Sequence, residues 1–250
     1  MTQPGIPDID LNPPLTMAFE AIEAGMRQAA EKFNEIVERV RELCLVVPPP
    51  VLLWIRDRLD VCREMVQEVL DKAGHALDHQ IPVLALVSTS FAWLEQVRRP
   101  VSGLSARVAT PESPAIGAWS GAAADAYRGI VDRQQAAALD VAEKANLISG
   151  WLYGIVTANI DYAIELARIV TQLVGRLAET AIEIGAVVTL PWAVEALAEA
   201  IGELLTAGLD NLLSIAERFV DAIGNVRNVH ASLSDHSKLP GGNWPAAVRN

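Results

Sequence analysis

Hydrophobic residues recur every three or four positions through the first third of the chain, which is the spacing of a helix that buries one narrow face. The pattern stops at Pro48–Pro50, because proline removes a hydrogen-bond donor and fixes φ, and then resumes. We therefore predict a helical hairpin over residues 15–80, with Thr16 as its N-cap. The residues of the two stripes are Phe19, Ile22, Met26, Ala29, Phe33, Ile36, Val40 and Leu43, then Ile55, Leu59, Cys62, Val66, Val69 and Ala73.

A second region of helical spacing runs from 83 to 108, with predicted interruptions at Pro100 and Gly103. From Ala122 to Leu190 there is no proline, which predicts one long helix or two in line. In its second half the strongly polar residues form one thin stripe, so the rest of the surface must be buried by the chain or by a partner. The stripe consists of Asp161, Glu165, Arg168, Gln172, Arg176, Glu179 and Glu183, and the predicted partner-facing apolar residues are Trp151, Leu152, Ile155, Leu166, Val170 and Leu173.

Pro191 suits the first turn of a further helix that extends to about Asn225. The predicted fold class is all-α: an elongated bundle of about five helices built on antiparallel helical hairpins. The predicted domains are a disordered or extended N-terminus over 1–14, a helical hairpin over 15–80, a second hairpin with a C-terminal helix over 81–227, and a flexible tail over 228–250.

Composition and charge narrow the range of partners. The chain has 31 acidic and 20 basic residues, a net charge of −11, so its field repels phosphate backbones and nucleic acid is not expected to bind. Residues 1–14 lack the basic and apolar regions of a secretory signal peptide. The longest uncharged stretch, Ala145 to Ile160, is too short and too polar to span a membrane. We expect contact with a membrane at most, and export by a route without a cleaved leader.

No pattern of catalytic, cofactor-binding or metal-binding residues stands out. His75 and His79 have the i, i+4 spacing of a metal pair, but a third ligand is missing, and a polar helix end is the better interpretation. Cys44 and Cys62 flank the proline break. In a hairpin they would be about 16 Å apart at 1.5 Å per residue, which favours two buried thiols over a disulfide. We predict no catalytic residue, no cofactor and no metal.

The most specific feature is Trp119-Ser120-Gly121, which follows a cluster of helix breakers over residues 110–117. Glycine allows a tight turn, Ser120 is suited to cap the next helix, and Trp119 supplies a large apolar side chain with one N–H donor. The tripeptide predicts a hairpin bend that is either a plain structural turn or a docking site.

A W-x-G between two helices, followed by an Ala-rich start over residues 122–126 in an acidic helical chain, resembles the WXG-motif proteins of type VII (ESX) secretion systems. The resemblance covers roughly 83 to 190. It implies a non-catalytic protein, secreted or placed at the cell surface by a leaderless route, that binds a helical partner (WXG-like or a secretion chaperone) or itself. The chain is longer than the small members of that family.

The family's Y-x-x-x-D/E export signal is absent, because Thr157 follows Tyr153 at +4 and Leu166 follows Tyr162. Either a partner supplies the signal or the chain stays in the cytosol. Two other interpretations remain open. One is a membrane-active protein that inserts apolar helices at 147–160 and 184–213; the other is the targeting region of a longer toxin, with 239–245 as the linker.

Overall fold

The computed structural model describes residues 12–43, 47–78, 80–108, 114–184 and 189–246, without the side chains of 12–14 and 80–84. Cys44 and His79 lie outside the described residues, as do 1–11 and 247–250 of the predicted termini. Within these ranges the chain is helical and contains no β-strand, so the predicted all-α class is confirmed.

Eight α-helices follow one another in the described part of the chain. The five predicted helices correspond to α1, α2, the α3–α4 segment, α6 and α7, and α5 and α8 are additional. Their bounds are α1 Asn12–Leu43, α2 Pro49–Asp78, α3 Gln80–Ala92, α4 Arg99–Val108, α5 Pro114–Ala118, α6 Ala122–Glu183, α7 Leu190–Gly224 and α8 Val226–Ser234, with a π-helical turn at Trp93–Arg98 and a 3₁₀ turn at Pro240–Gly242.

The prolines open helices as well as ending them. Thr16 was predicted as the N-cap, but α1 already begins at Asn12. Two prolines lie in its first turn. They are tolerated there because the N–H groups of the first turn have no hydrogen-bond acceptor within the helix. At the hairpin break, the carbonyl of Pro48 accepts the N–H groups of Val51 and Leu52 at 3.0 and 3.1 Å. Pro48 is therefore the N-cap of α2, and the proline run prevents α1 from continuing.

Contrary to the prediction, the helix is not interrupted at Pro100 and Gly103 but is irregular just before them. Pro100 is in the first turn of α4, and Gly103 lies within that helix without breaking it. The irregularity is the preceding π-helical turn, where the N–H of Arg99 reaches back to the carbonyl of Leu94, five residues earlier. A wider turn leaves room for the proline ring, which would otherwise press on the carbonyl four residues before it.

The chain divides into two compact units, and the first draws its described residues from Met1–Leu84 and Thr157–Arg218. Here α1, α2, the end of α6 and most of α7 share one core. Fully buried side chains include Ile22, Ile36, Ile55, Leu166 and Leu173, and burying each one contributes about 1.5–3 kcal/mol. The helices approach closely, since a Cβ on Gly25 of α1 would lie 2.5 Å from Cγ1 of Val170 on α6.

The second unit draws on Ala85–Val156 and Phe219–Asn250. Two serines join the arms of this unit, Ser90 on α3 and Ser149 on α6. Each hydroxyl donates a hydrogen bond to the other residue's carbonyl, at 3.0 and 2.9 Å. Ser90 lies 29 residues before Trp119, and Ser149 lies 29 residues after Ser120. The arms therefore fold back on each other as an antiparallel hairpin centred on the Trp-Ser-Gly bend.

These units divide the chain differently from the predicted domains. Residues 15–80 do not pack alone but share their core with 157–218, because two helices cannot enclose their own apolar faces. The C-terminal segment is also more ordered than predicted. Residues 226–234 form α8, Val229 is buried against Ile148 and Leu152, and the carbonyl of Asp235 accepts a hydrogen bond of 2.6 Å from Lys144 Nζ. The predicted flexible tail over 228–250 therefore begins with helix, because its residues 228–234 belong to α8.

Candidate functional site

The backbone of the Trp-Ser-Gly bend connects α5 directly to α6. The N–H of Trp119 donates to the carbonyl of Ile116 at 3.2 Å, which closes the end of α5. Gly121 has φ of 95°, a left-handed conformation that favours glycine. Its carbonyl accepts the first hydrogen bond of α6, from the N–H of Asp125 at 3.1 Å. Gly121 is thus the N-cap, not Ser120 as predicted.

The side chain of Trp119 contacts the ring of Tyr127 but remains accessible. Its ring centroid lies 5.6 Å from that of Tyr127, with a tilt of 44°. Arg128 Nη2 donates to the Trp119 carbonyl at 2.7 Å, and Arg128 Nη1 contacts Asp125 at 3.4 Å. Trp119 is nevertheless 41% exposed. An exposed indole has the chemistry of an interface anchor, since it offers a large apolar area and one N–H donor.

Three other exposed apolar side chains lie on the N-terminal arm of α6. Leu139 is 47% exposed, Leu147 38% and Tyr153 43%. Leu147 and Tyr153 follow Leu139 by eight and fourteen residues, about 2.2 and 3.9 helical turns, so the three side chains fall within about 120° of the helix circumference. We call Leu139, Leu147 and Tyr153 the arm face. Sequence analysis missed it because the intervening residues are polar or small and the stripe is incomplete.

The six residues predicted to face a partner are instead packed inside this chain. Leu166, Val170 and Leu173 belong to the core of the first unit, and Leu152 and Ile155 are buried in the second. Trp151 is half-buried and donates from Nε1 to the Ala222 carbonyl at 2.7 Å. The prediction identified the apolar side of α6 correctly, but α1, α2, α7 and α8 supply the covering helices.

Most of the thin polar stripe of α6 is exposed, whereas the side chain of Glu165 is largely covered and contacts α7. Its best-formed contact joins Arg168 to Glu165 through two hydrogen bonds of 2.9 and 2.6 Å, and Asn211 on α7 donates to the same carboxylate at 2.9 Å. The hydrogen bond from Arg168 holds the pKa of Glu165 below its usual value of 4.5. The contact links α6 to α7 but has no catalytic geometry.

The described residues contain no group of three or more His, Cys, Asp or Glu side chains that could hold a metal ion. His75 lies exposed in the last turn of α2. Cys62 is a free, buried thiol, as predicted, and burial raises its pKa to about 11.

Comparison with known proteins gives no further assignment: no family profile, no curated protein and no solved structure matches the chain. Among the helices that the structure describes, none combines the length and the apolar character needed to cross a bilayer.

Proposed function

We propose that this chain is a non-catalytic WXG-like protein, a substrate or component of a type VII secretion system, that works by helix–helix association. The observation that carries the proposal is the antiparallel hairpin with Trp119 at its bend. The bend is braced by Arg128 and Tyr127 while the indole stays 41% exposed. A turn that served only to reverse the chain would not require an exposed tryptophan.

The partner would lie along the arm of α6 that starts at the bend. Residues 122–156 form this arm in the second unit, about 50 Å of helix at 1.5 Å per residue. A specific interface needs about 800 Å² from each protein, and a helical hairpin laid over Trp119 and the arm face could supply that area. We infer a helical partner, WXG-like or a secretion chaperone, or a second copy of this chain.

The core residues of α6 take no part in this association. Leu166, Val170 and Leu173 are covered within the chain, so the protein does not need a partner to bury these three core residues. We therefore expect the free chain to be folded, and the partner to add to a preformed surface. This differs from an arrangement in which partner binding completes the hydrophobic core.

The chain lacks a Y-x-x-x-D/E signal, so its export would depend on the partner. A secretion assay therefore tests the proposed association with that partner. In a host with an active type VII system, the tagged chain should reach the culture medium only when the system's ATPase and the partner are present. Trp119→Ala should reduce the secreted amount several-fold. Trp192→Ala is the matched control, because Trp192 is 79% exposed and lies far along the chain from the bend. Secretion that is independent of the ATPase, or equal for both variants, would exclude the proposal.

A membrane-active protein is a second candidate, favoured by two highly exposed apolar residues in the first unit. Ile182 is 77% exposed near the end of α6, and Trp192 is 79% exposed near the start of α7. Tryptophan is enriched where proteins meet the bilayer surface. Leakage from neutral vesicles at neutral and acid pH, lost in Trp192→Ala but kept in Trp119→Ala, would support this candidate over secretion.

The targeting region of a longer toxin stays a prediction, and the length of the native reading frame tests it.

A further inference from the structure

A groove of about 590 Å³ opens between α1 and α2 in the first unit, beside the proline break. Its floor contains Val40, Ile55 and Leu59, which are 5%, 1% and 7% exposed. Leu53 stands at its edge and is 63% exposed. The volume falls within the range of about 300–1,000 Å³ that is typical of small-molecule sites. The helices therefore leave an apolar cleft of ligand size next to their connection.

The charges around this groove differ in sign from those of the chain as a whole. Arg41, Arg56 and Arg63 line it with a single acid, Asp60, whereas the whole chain carries −11. Arg63 is held by Asp60 at 2.7 Å, and Arg41 lies 3.7 Å from Glu38. Within the described part of the chain Arg56 is exposed and has no ion-pair partner. Arg56 is thus the cation available to an incoming anion.

The shape of the groove favours a narrow ligand over a docked helix. One wall is a single turn of α1, residues 37–41, while the other runs from Pro49 to Arg63, about four turns of α2. A helix in a groove is anchored over several turns on both sides. A flexible acyl chain needs only a continuous apolar floor, and each CH₂ that it buries contributes on its own.

We propose that the α1–α2 groove binds a single-chain amphiphile with an anionic head, a free fatty acid. Its carboxylate pairs with Arg56, since a guanidinium presents two parallel donors to a carboxylate. Its alkyl chain runs from Arg56 towards the proline break, along Ile55, Leu52 and Pro49 of the groove lining. This site is independent of the bend at Trp119, and the failure of one proposal would leave the other intact.

The test is a calorimetric titration with dodecanoate below its micelle concentration, with native mass spectrometry to give the stoichiometry. We expect saturable binding of one dodecanoate per chain. Arg56→Gln should weaken dodecanoate binding about tenfold, because a charge-assisted hydrogen bond is lost, but should leave dodecanol binding unchanged. Leu53→Asp should weaken both. Arg107→Gln, an exposed arginine of α4 in the second unit, is the matched control and should have no effect.

Three results would overturn the proposal. The first is non-saturable dodecanoate uptake. The second is equal loss in Arg56→Gln and Arg107→Gln while the circular dichroism spectra remain wild-type. The third is equal binding of dodecyltrimethylammonium, which has the same alkyl chain and the opposite charge. An acidic amphipathic peptide that binds with the same Arg56 dependence, where dodecanoate does not, would assign the groove to a protein partner instead.

Discussion

At the residue scale, the direction of the chain at the bend depends on the backbone of Gly121. Its φ of 95° is disfavoured for any residue with a Cβ, although an added Cβ would meet no atom within 4 Å. The cost of a substitution is therefore conformational, about 1–2 kcal/mol. We predict that Gly121→Ala lowers the free energy of unfolding by about that amount in urea titrations.

Gly117→Ala gives the matched comparison for that measurement. Gly117 lies in α5, and a Cβ there also has open space around it, without a positive φ. Alanine at this position should be neutral or slightly stabilising, because it raises helix propensity. If the two variants had the same stability, the positive φ would not be the reason for glycine at the bend.

At the scale of elements, the contact between α1 and α6 depends on the absence of a side chain at Gly25. An alanine Cβ would lie 2.5 Å from Val170 Cγ1, and Val170 is fully buried. Gly25→Ala should therefore destabilise the protein by about 1–3 kcal/mol, the usual cost of overpacking a core. Gly202→Ala in α7, where a Cβ has open space, should instead stabilise by about 0.5–1 kcal/mol. Thermal melts that rank the variants in the opposite order would contradict this packing.

The link between α6 and α7 at Glu165 should make stability depend on pH. Since its pKa is lowered below 4.5 by Arg168, the charged carboxylate stabilises the folded state, fully above pH 4.5. That contribution is lost as the pH falls through the folded pKa. Wild-type protein should therefore lose more unfolding free energy than Glu165→Gln between pH 6 and pH 3. A parallel decrease in the two proteins would mean that this carboxylate is not coupled to folding.

The helices could be predicted where their apolar stripes are long and end at breakers. The stripe from Ile55 to Ala73 is buried as the spacing indicates, and Pro191 opens α7 in its first turn. The π-helical turn was not predictable, because it compensates locally for Pro100 and leaves no periodic signal. α8 was missed because nine residues are too few for a clear pattern, and its contacts with Ile148 and Leu152 are far away in sequence.

At the same scale, the site was only partly predictable. Trp119 and Gly121 could be assigned to a bend, because a breaker cluster precedes them and an Ala-rich helix follows. The predicted N-cap of α6 was wrong. Ser120 and Gly121 are both suitable N-cap residues, and only the backbone geometry shows which of them accepts the first hydrogen bond of the helix. The partner-facing set was wrong for another reason. Periodicity identifies which side of α6 is apolar, but whether that side meets the same chain or another one depends on tertiary packing.

At the scale of the whole molecule, each unit has its own apolar core, and in the second unit Trp119 and the arm face are the exposed apolar residues to which we assign association. Leu166, Val170 and Leu173 are buried within the chain, so a partner is not needed to cover them. The chain's net charge of −11 also disfavours non-specific self-association through repulsion. We therefore expect association to be specific and to depend on the bend.

The most direct test of that claim is light scattering on the chain, alone and co-expressed with helical proteins encoded beside it. Alone, the chain should have the monomer mass of 26.9 kDa or a discrete multiple of it. With its partner it should form a stoichiometric complex, which Trp119→Ala weakens at least tenfold and Trp192→Ala leaves intact. A complex that survives loss of Trp119, or a monomer that binds none of these proteins, would contradict the account and leave the bend as a structural turn.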